Sequence, residues 1–179
     1  MKDRIELAEH FAKLGFKKGA EVGTASGRYA EILCQKIPDL EYLGVDVWGK
    51  YEGNWRSNKY QEGAYIQARD RLKDYPKVWL FRNTSLVAST VVDDNSLDFV
   101  FIDGSHLFNN VMLDILLWTP KIRSGGIVSG HDYYNFHNSG VIQAVDLYTT
   151  MNNIKLEIIP SKPDGFIDDR HACWYFYKK

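Results

Sequence analysis

Apolar positions along the chain fall into two alternating rhythms. Short apolar runs bounded by glycine, proline or acidic residues read as buried strands: Gly19–Val22, Leu40–Val45, Val78–Phe81, Leu97–Ile102, the Gly125–Gly130 turn-and-strand, Leu156–Ile159 and Ala172–Tyr177. Between them, apolar residues recur at helical spacing over Ile5–Ala12, Gly27–Lys36, Ala64–Lys73, Leu86–Val92, Asn109–Trp118 and Val141–Met151. Gly15 and Gly19 end the first helix, and Pro38 and Pro120 stop the second and fifth. Leu97–Ile102 is almost wholly apolar, which predicts a central strand covered on both faces. Five strand–helix alternations predict a doubly wound α/β fold with a mostly parallel sheet. Only a loop separates the last two strands, so they should pair as an antiparallel hairpin. The long Trp48–Gln61 stretch reads as a polar and aromatic loop.

In such a sheet, ligands bind beyond the carboxyl ends of the strands. Glu21, Asp46, Asn83 to Ser85, Asp103 and His131-Asp132 all end predicted strands and should share one rim. The first turn, Glu21-Val22-Gly23-Thr24-Ala25-Ser26-Gly27, carries an acid and two glycines. Nineteen residues after Gly27, Asp46 closes the second strand. A glycine turn lets the backbone approach a ligand, and an acid at that distance accepts hydrogen bonds from ribose hydroxyls. The pattern is that of a nucleotide-type cofactor site. It lacks a full G-x-G-x-x-G, which argues against a nicotinamide oxidoreductase.

Composition narrows the partners. The 179 residues suit one domain, with a helix over 1–16 and a core over 19–177. A net charge of −1 gives no footprint for nucleic acid or an anionic membrane. Cys34 and Cys173 have no metal-ligand spacing and read as free thiols. No apolar run approaches a membrane span or a signal core, so the expectation is a cytoplasmic protein.

Together these motifs resemble a class I S-adenosylmethionine-dependent methyltransferase, over residues 19 to 177. Glu21–Gly27 looks like the first motif of that family and Gly44-Val45-Asp46-Val47-Trp48 like the second. Phe101–His106, Leu117–Val128 and His131-Asp132-Tyr133 are similar to small-molecule and sugar O-methyltransferases. The resemblance implies a Rossmann-like, seven-stranded sheet with an antiparallel last strand. It also implies cofactor contacts. Glu21, Gly23, Thr24, Ala25 and Gly27 would cradle the methionine part, and Asp46 would hold the ribose. Val47 and Trp48 would flank the adenine, Thr84 or Ser85 would lie near its amine, and Asp103 near the sulfonium. No Asn/Asp-Pro-Pro-Tyr-like motif follows the fourth strand, which argues against N-methylation.

Asp103 and His131-Asp132 end adjacent strands, so their side chains should converge. Metal-dependent relatives carry oxygen donors at these places, which implies Mg²⁺ or Mn²⁺ held by Asp103, His131 and Asp132. Here a histidine replaces an oxygen, and imidazole is a poor Mg²⁺ ligand. A metal-free enzyme with His106 or His131 as general base, or a non-catalytic cofactor binder, are the alternatives. Asp114 should pair on the surface or support His106. The loop Trp48–Tyr60, with Lys50, Arg56 and Lys59, the segment Tyr133–Asn138 and the hairpin loop Lys162–Phe166 are candidate acceptor walls. Only Met1–Phe16 is available as an N-terminal cover. Either the site is open, or a second subunit of a homo-oligomer covers it.

Overall fold

The computed structural model describes residues 1–50, 56–135, 139–161 and 171–179. Helix α1 (Arg4–Lys13) is followed by β1 (Lys18–Val22), α2 (Arg28–Lys36), β2 (Glu41–Asp46), α3 (Asn58–Leu72), β3 (Val78–Arg82), α4 (Ser85–Ser89) and β4 (Leu97–Ile102). Then come α5 (Phe108–Trp118), a 3-10 turn at Thr119–Lys121, β5 (Ile122–Gly130), α6 (Val141–Met151), β6 (Glu157–Ile159) and β7 (Cys173–Tyr177). The strands form one seven-stranded sheet in the order β3-β2-β1-β4-β5-β7-β6. β1 to β5 are parallel, and β7 runs antiparallel between β5 and β6. The doubly wound sheet and its antiparallel last strand are those expected from the sequence.

β4 is central, and both its faces are buried. Phe99 and Phe101 pack into one core layer with Leu7 and Phe11 of α1 and Leu33 of α2. Val100 and Ile102 pack into the other with Val111, Ile115 and Trp118 of α5 and Val145 of α6. The strand order reverses between β1 and β4, which places the ligand crevice at their carboxyl ends.

Three elements differ from the sequence reading. α3 starts at Asn58, six residues early, because the Ser57 hydroxyl caps it by accepting the Tyr60 N–H at 3.2 Å. α4 is a single short turn capped by Thr84. α1 does not cover the acceptor side. Its Leu7, Ala8 and Phe11 are fully buried against the sheet, so it is a structural layer rather than a lid. Tyr51–Trp55 of the first candidate wall, Phe136–Asn138 of the second and all of Lys162–Phe166 lie outside the described residues. Both cysteines are buried, and no disulfide joins them. No helix among the described residues is long and apolar enough to cross a membrane.

Candidate active site

The glycine turn is held by backbone bonds. The Gly23 and Thr24 N–H groups both donate to the Val45 carbonyl, at 2.8 and 3.2 Å. Gly23 has φ +94°, and a Cβ there would overlap the Asp103 carbonyl. Glycine is therefore required for the close approach of β1 to β4. Gly27, at φ +74°, caps the N-terminus of α2.

Asp46 ties the turn to β2. One carboxylate oxygen accepts the Ala25 N–H at 2.9 Å and the other the Trp48 N–H at 2.8 Å. Burial raises the Asp46 pKa, opposed by these backbone bonds. The Val47 N–H is a third backbone donor to it, so of about four lone-pair sites on a carboxylate about one remains. The Trp48 indole N–H donates to the Ala25 carbonyl at 2.7 Å, and its ring lies against Tyr65. Trp48 is fully buried and Val47 half-buried.

Glu21 lies beneath the turn, 2% exposed, and accepts a hydrogen bond from the Tyr42 hydroxyl. Burial pushes its carboxyl up to about 8, opposed by the Tyr42 bond. Thr84 is exposed on the rim. Ser85 turns inward, where its oxygen accepts the Trp118 indole N–H at 2.8 Å and meets Asp114. Asp114 is buried rather than paired with a base on the surface, one of the two roles expected for it. Burial pushes its carboxyl up to about 6, opposed by the Ser85 bond.

The acid–histidine residues converge as their strand-end positions predict. The Asp103 N–H donates to the Val22 carbonyl at 2.7 Å, and the His131 N–H to the Ile102 carbonyl at 3.1 Å, which aligns the ends of β1, β4 and β5. His131 Nδ1 lies 3.3 Å from Asp132 Oδ1 and 3.6 Å from Asp103 Oδ1. One donor atom from each of Asp103, His131 and Asp132 falls within 4.8 Å of the others. His106 Nε2 reaches Asp132 Oδ2 at 2.9 Å. Hydrogen bonding to Asp132 raises the His106 pKa. Burial lowers the His131 pKa, but the Asp103 and Asp132 carboxylates override it and hold it up to about 10. Burial likewise opposes ionisation of Asp132, and hydrogen bonds from His106 and His131 override it, holding the carboxyl well below the usual range.

His171 completes the cluster and was not anticipated. Its Nδ1 lies 2.7 Å from Asp132 Oδ1, and its ring stacks on Tyr134 at 3.8 Å. Because β7 is antiparallel, its start, not its end, lies at the carboxyl end of β5. Applying that inversion to the predicted hairpin would have found it.

A family model described as a methyltransferase domain matches residues 20–133. The chain belongs to this methyltransferase-domain family. The matched segment carries Glu21, the glycine turn, Asp46, Asp103, His106, His131 and Asp132, and leaves out His171. An uncharacterized protein of Sinorhizobium fredii is 30% identical over 117 residues. The match takes in 63% of this chain and 12% of that protein, so the chain spans about an eighth of its relative. The fold is also that of solved methyltransferases. An O-methyltransferase from Bacillus cereus, in complex with S-adenosylhomocysteine, superposes with TM-score 0.71 at 13% identity, covering 98% of this chain and 80% of that one. TomG from Streptomyces achromogenes, an O-methyltransferase of tomaymycin synthesis in complex with S-adenosylmethionine, gives 0.70 at 15% identity, with the same coverage of 98% and 80%. A precorrin-6y C5,15-methyltransferase from Geobacter metallireducens gives 0.68 at 15%, covering 97% and 88%. Oxygen and carbon methylation both occur on this fold, so the acceptor must be argued from the site.

Proposed function

We propose that this methyltransferase moves the methyl group of S-adenosylmethionine to a hydroxyl oxygen of a small molecule. The observation that carries the reading is the junction of two half-sites at the β1–β4 crevice. One is the glycine turn with Asp46. The other is the Asp103–His106–His131–Asp132 cluster, joined to it through the close packing of Gly23 on Asp103.

On the cofactor side, the Asp46 carboxylate at the end of β2 suits a ribose hydroxyl. The turn from Gly23 to Gly27 presents backbone at the methionine part, with Glu21 beneath it. Exposed Thr84, not inward-turned Ser85, is the adenine-side contact. Val47 borders the adenine, and Trp48 supports the turn from below.

On the acceptor side, methyl transfer needs an oxygen nucleophile held in line with the sulfonium, so positioning is most of the work. His106 is the better placed base. Its Nε2 is engaged by Asp132, which fixes the tautomer and leaves Nδ1 to take the acceptor proton. His131 is buried against two carboxylates and is a ligand or orienting group instead. Asp103, His131 and Asp132 offer two carboxylate oxygens and one imidazole nitrogen at spacings that fit a divalent cation, which when bound would lower the pKa of an acceptor hydroxyl.

Isothermal titration with S-adenosylmethionine is the decisive experiment. One-to-one binding, with release of S-adenosylhomocysteine when hydroxylated acceptors are added, is expected. A folded sample that does not bind the cofactor would sink the reading.

A further inference from the structure

We infer that the free edge of β3 pairs with β3 of a second copy of this chain, antiparallel and centred on Leu80, so that two seven-stranded sheets join into one.

The edge is open. β3 is an end strand of the sheet, and its burial is partial along its whole length. An edge strand presents unpaired backbone N–H and C=O groups, which proteins blunt with charges, proline, bulges or a covering element. Val78-Trp79-Leu80-Phe81 carries no charge and no proline, and β3 follows β2 through all five residues without a bulge. On one side of the sheet, Leu80 packs with Ala64 and Ala68 of α3. On the other side the cover is α4, only five residues long. There Phe81 is partly buried in the layer that holds Ala88 of α4, while Trp79, on the same face as Phe81, is 58% exposed. Leu86 of α4 and Val91 just after it are also exposed. A sheet face of this kind is stable when it is buried against another element.

The backbone sets the register. The Lys77 carbonyl accepts the Tyr42 N–H at 2.9 Å, and the Asn83 N–H donates to the Asp46 carbonyl at 3.1 Å. Alternate residues of a parallel strand face the same neighbour, so Lys77, Trp79, Phe81 and Asn83 turn their backbone groups to β2. Those of Val78, Leu80 and Arg82 therefore point to the free edge. Of these, the Val78 N–H is bonded to the Tyr75 carbonyl at 3.2 Å. An antiparallel pairing centred on Leu80 sets Leu80 against Leu80 and Val78 against Arg82. Two bonds between the Leu80 residues and two from Arg82 N–H to the Val78 carbonyl then close the seam.

The same register selects a second copy as the occupant. The run is symmetric about Leu80, so one two-fold axis pairs all five residues of each strand. Trp79 of each chain then meets Phe81 of the other on the open face, giving two aromatic cross-strand pairs. No like charges oppose one another. Arg82 lies opposite Val78 and is already held by Glu62 at 2.7 Å, and Lys77 lies opposite Asn83. A shift by one residue would bring Lys77 against Arg82 and turn the wrong backbone groups to the seam. β3 lies three strands from β4, about 14 Å at the usual strand spacing, so this dimer extends the sheet away from the acceptor cluster.

Light scattering behind size-exclusion chromatography, on the whole protein at low and high micromolar concentration, tests the inference. The wild type should run at twice the monomer mass. Trp79→Lys should weaken the dimer at least tenfold. Leu147→Lys, a change on the exposed apolar surface of α6, should leave it as it is. Leu80→Cys chains should cross-link through that position under mild oxidation, because Cα atoms of a hydrogen-bonded antiparallel pair lie about 5.5 Å apart, within disulfide reach. Cys34 and Cys173 are buried, which keeps them out of this readout. Circular dichroism of each variant confirms the fold. A wild type that stays monomeric, a dimer that Trp79→Lys leaves intact, or one that Leu147→Lys dissociates would each overturn the inference. So would folded Leu80→Cys chains that fail to cross-link.

Discussion

Replacing Glu21 by glutamine isolates one buried proton beneath the cofactor turn. Glu21 titrates near 4.5 in an unfolded chain, and burial raises it to about 8 in the folded protein, opposed by the Tyr42 bond. Between those values the folded state holds a proton that the unfolded state has lost. Stability is therefore fully present below pH 4.5 and is lost as pH rises to about 8. At 1.36 kcal/mol per pKa unit the full shift is worth about 5 kcal/mol, or about 3 kcal/mol if water reaches the ionised carboxylate. Glu21→Gln is neutral at every pH and keeps a carbonyl for the Tyr42 hydroxyl. Urea unfolding of both proteins from pH 4 to pH 9 reads the difference directly. The variant should match the wild type near pH 4 and exceed it by about 3 to 5 kcal/mol at pH 9. Parallel stability curves across that range would refute the claim that Glu21 is held protonated by burial.

Asp46→Ala should weaken S-adenosylmethionine binding at least tenfold and loosen the turn by freeing the Ala25 and Trp48 N–H groups. Unchanged affinity by calorimetry would remove its ribose role. Gly23→Ala should cost about 1 to 3 kcal/mol of stability, because it forces a left-handed alanine into the Asp103 carbonyl. A thermal midpoint equal to that of the wild type would contradict the close β1–β4 approach. His106→Gln keeps a donor for Asp132 but no base, so turnover should fall about a hundredfold with cofactor affinity intact. A fall of less than threefold would transfer the base role elsewhere.

What the sequence disclosed depended on how local the cause was. β4 was legible because six consecutive residues, nearly all apolar, admit little except a central strand. Gly23, Asp46, Asp103, His131 and Asp132 were legible because parallel strands put all their carboxyl ends on one rim. The start of α3 was not, because Ser57 caps a helix whose first turns are polar and aromatic and show no apolar stripe. Asp114 was misplaced because its partner Ser85 lies on another helix, and sequence spacing is blind to that contact. His171 was missed for a topological reason. It is the only cluster member supplied by an antiparallel strand, so it precedes its strand while the others follow theirs.

That difference in supply has a consequence for the chemistry of the two half-sites. The proposed cofactor half is built from backbone: Gly23 and Thr24 N–H groups on the Val45 carbonyl, a glycine that permits close approach, and one carboxylate that accepts further backbone N–H groups. Such a site changes little when surrounding side chains change. The acceptor half is built from side chains carried by the β4, β5 and β7 ends, all meeting on Asp132. On the proposed function, acceptor choice resides in the side chains that meet around one buried carboxylate, and Asp132 is the position at which they are coupled.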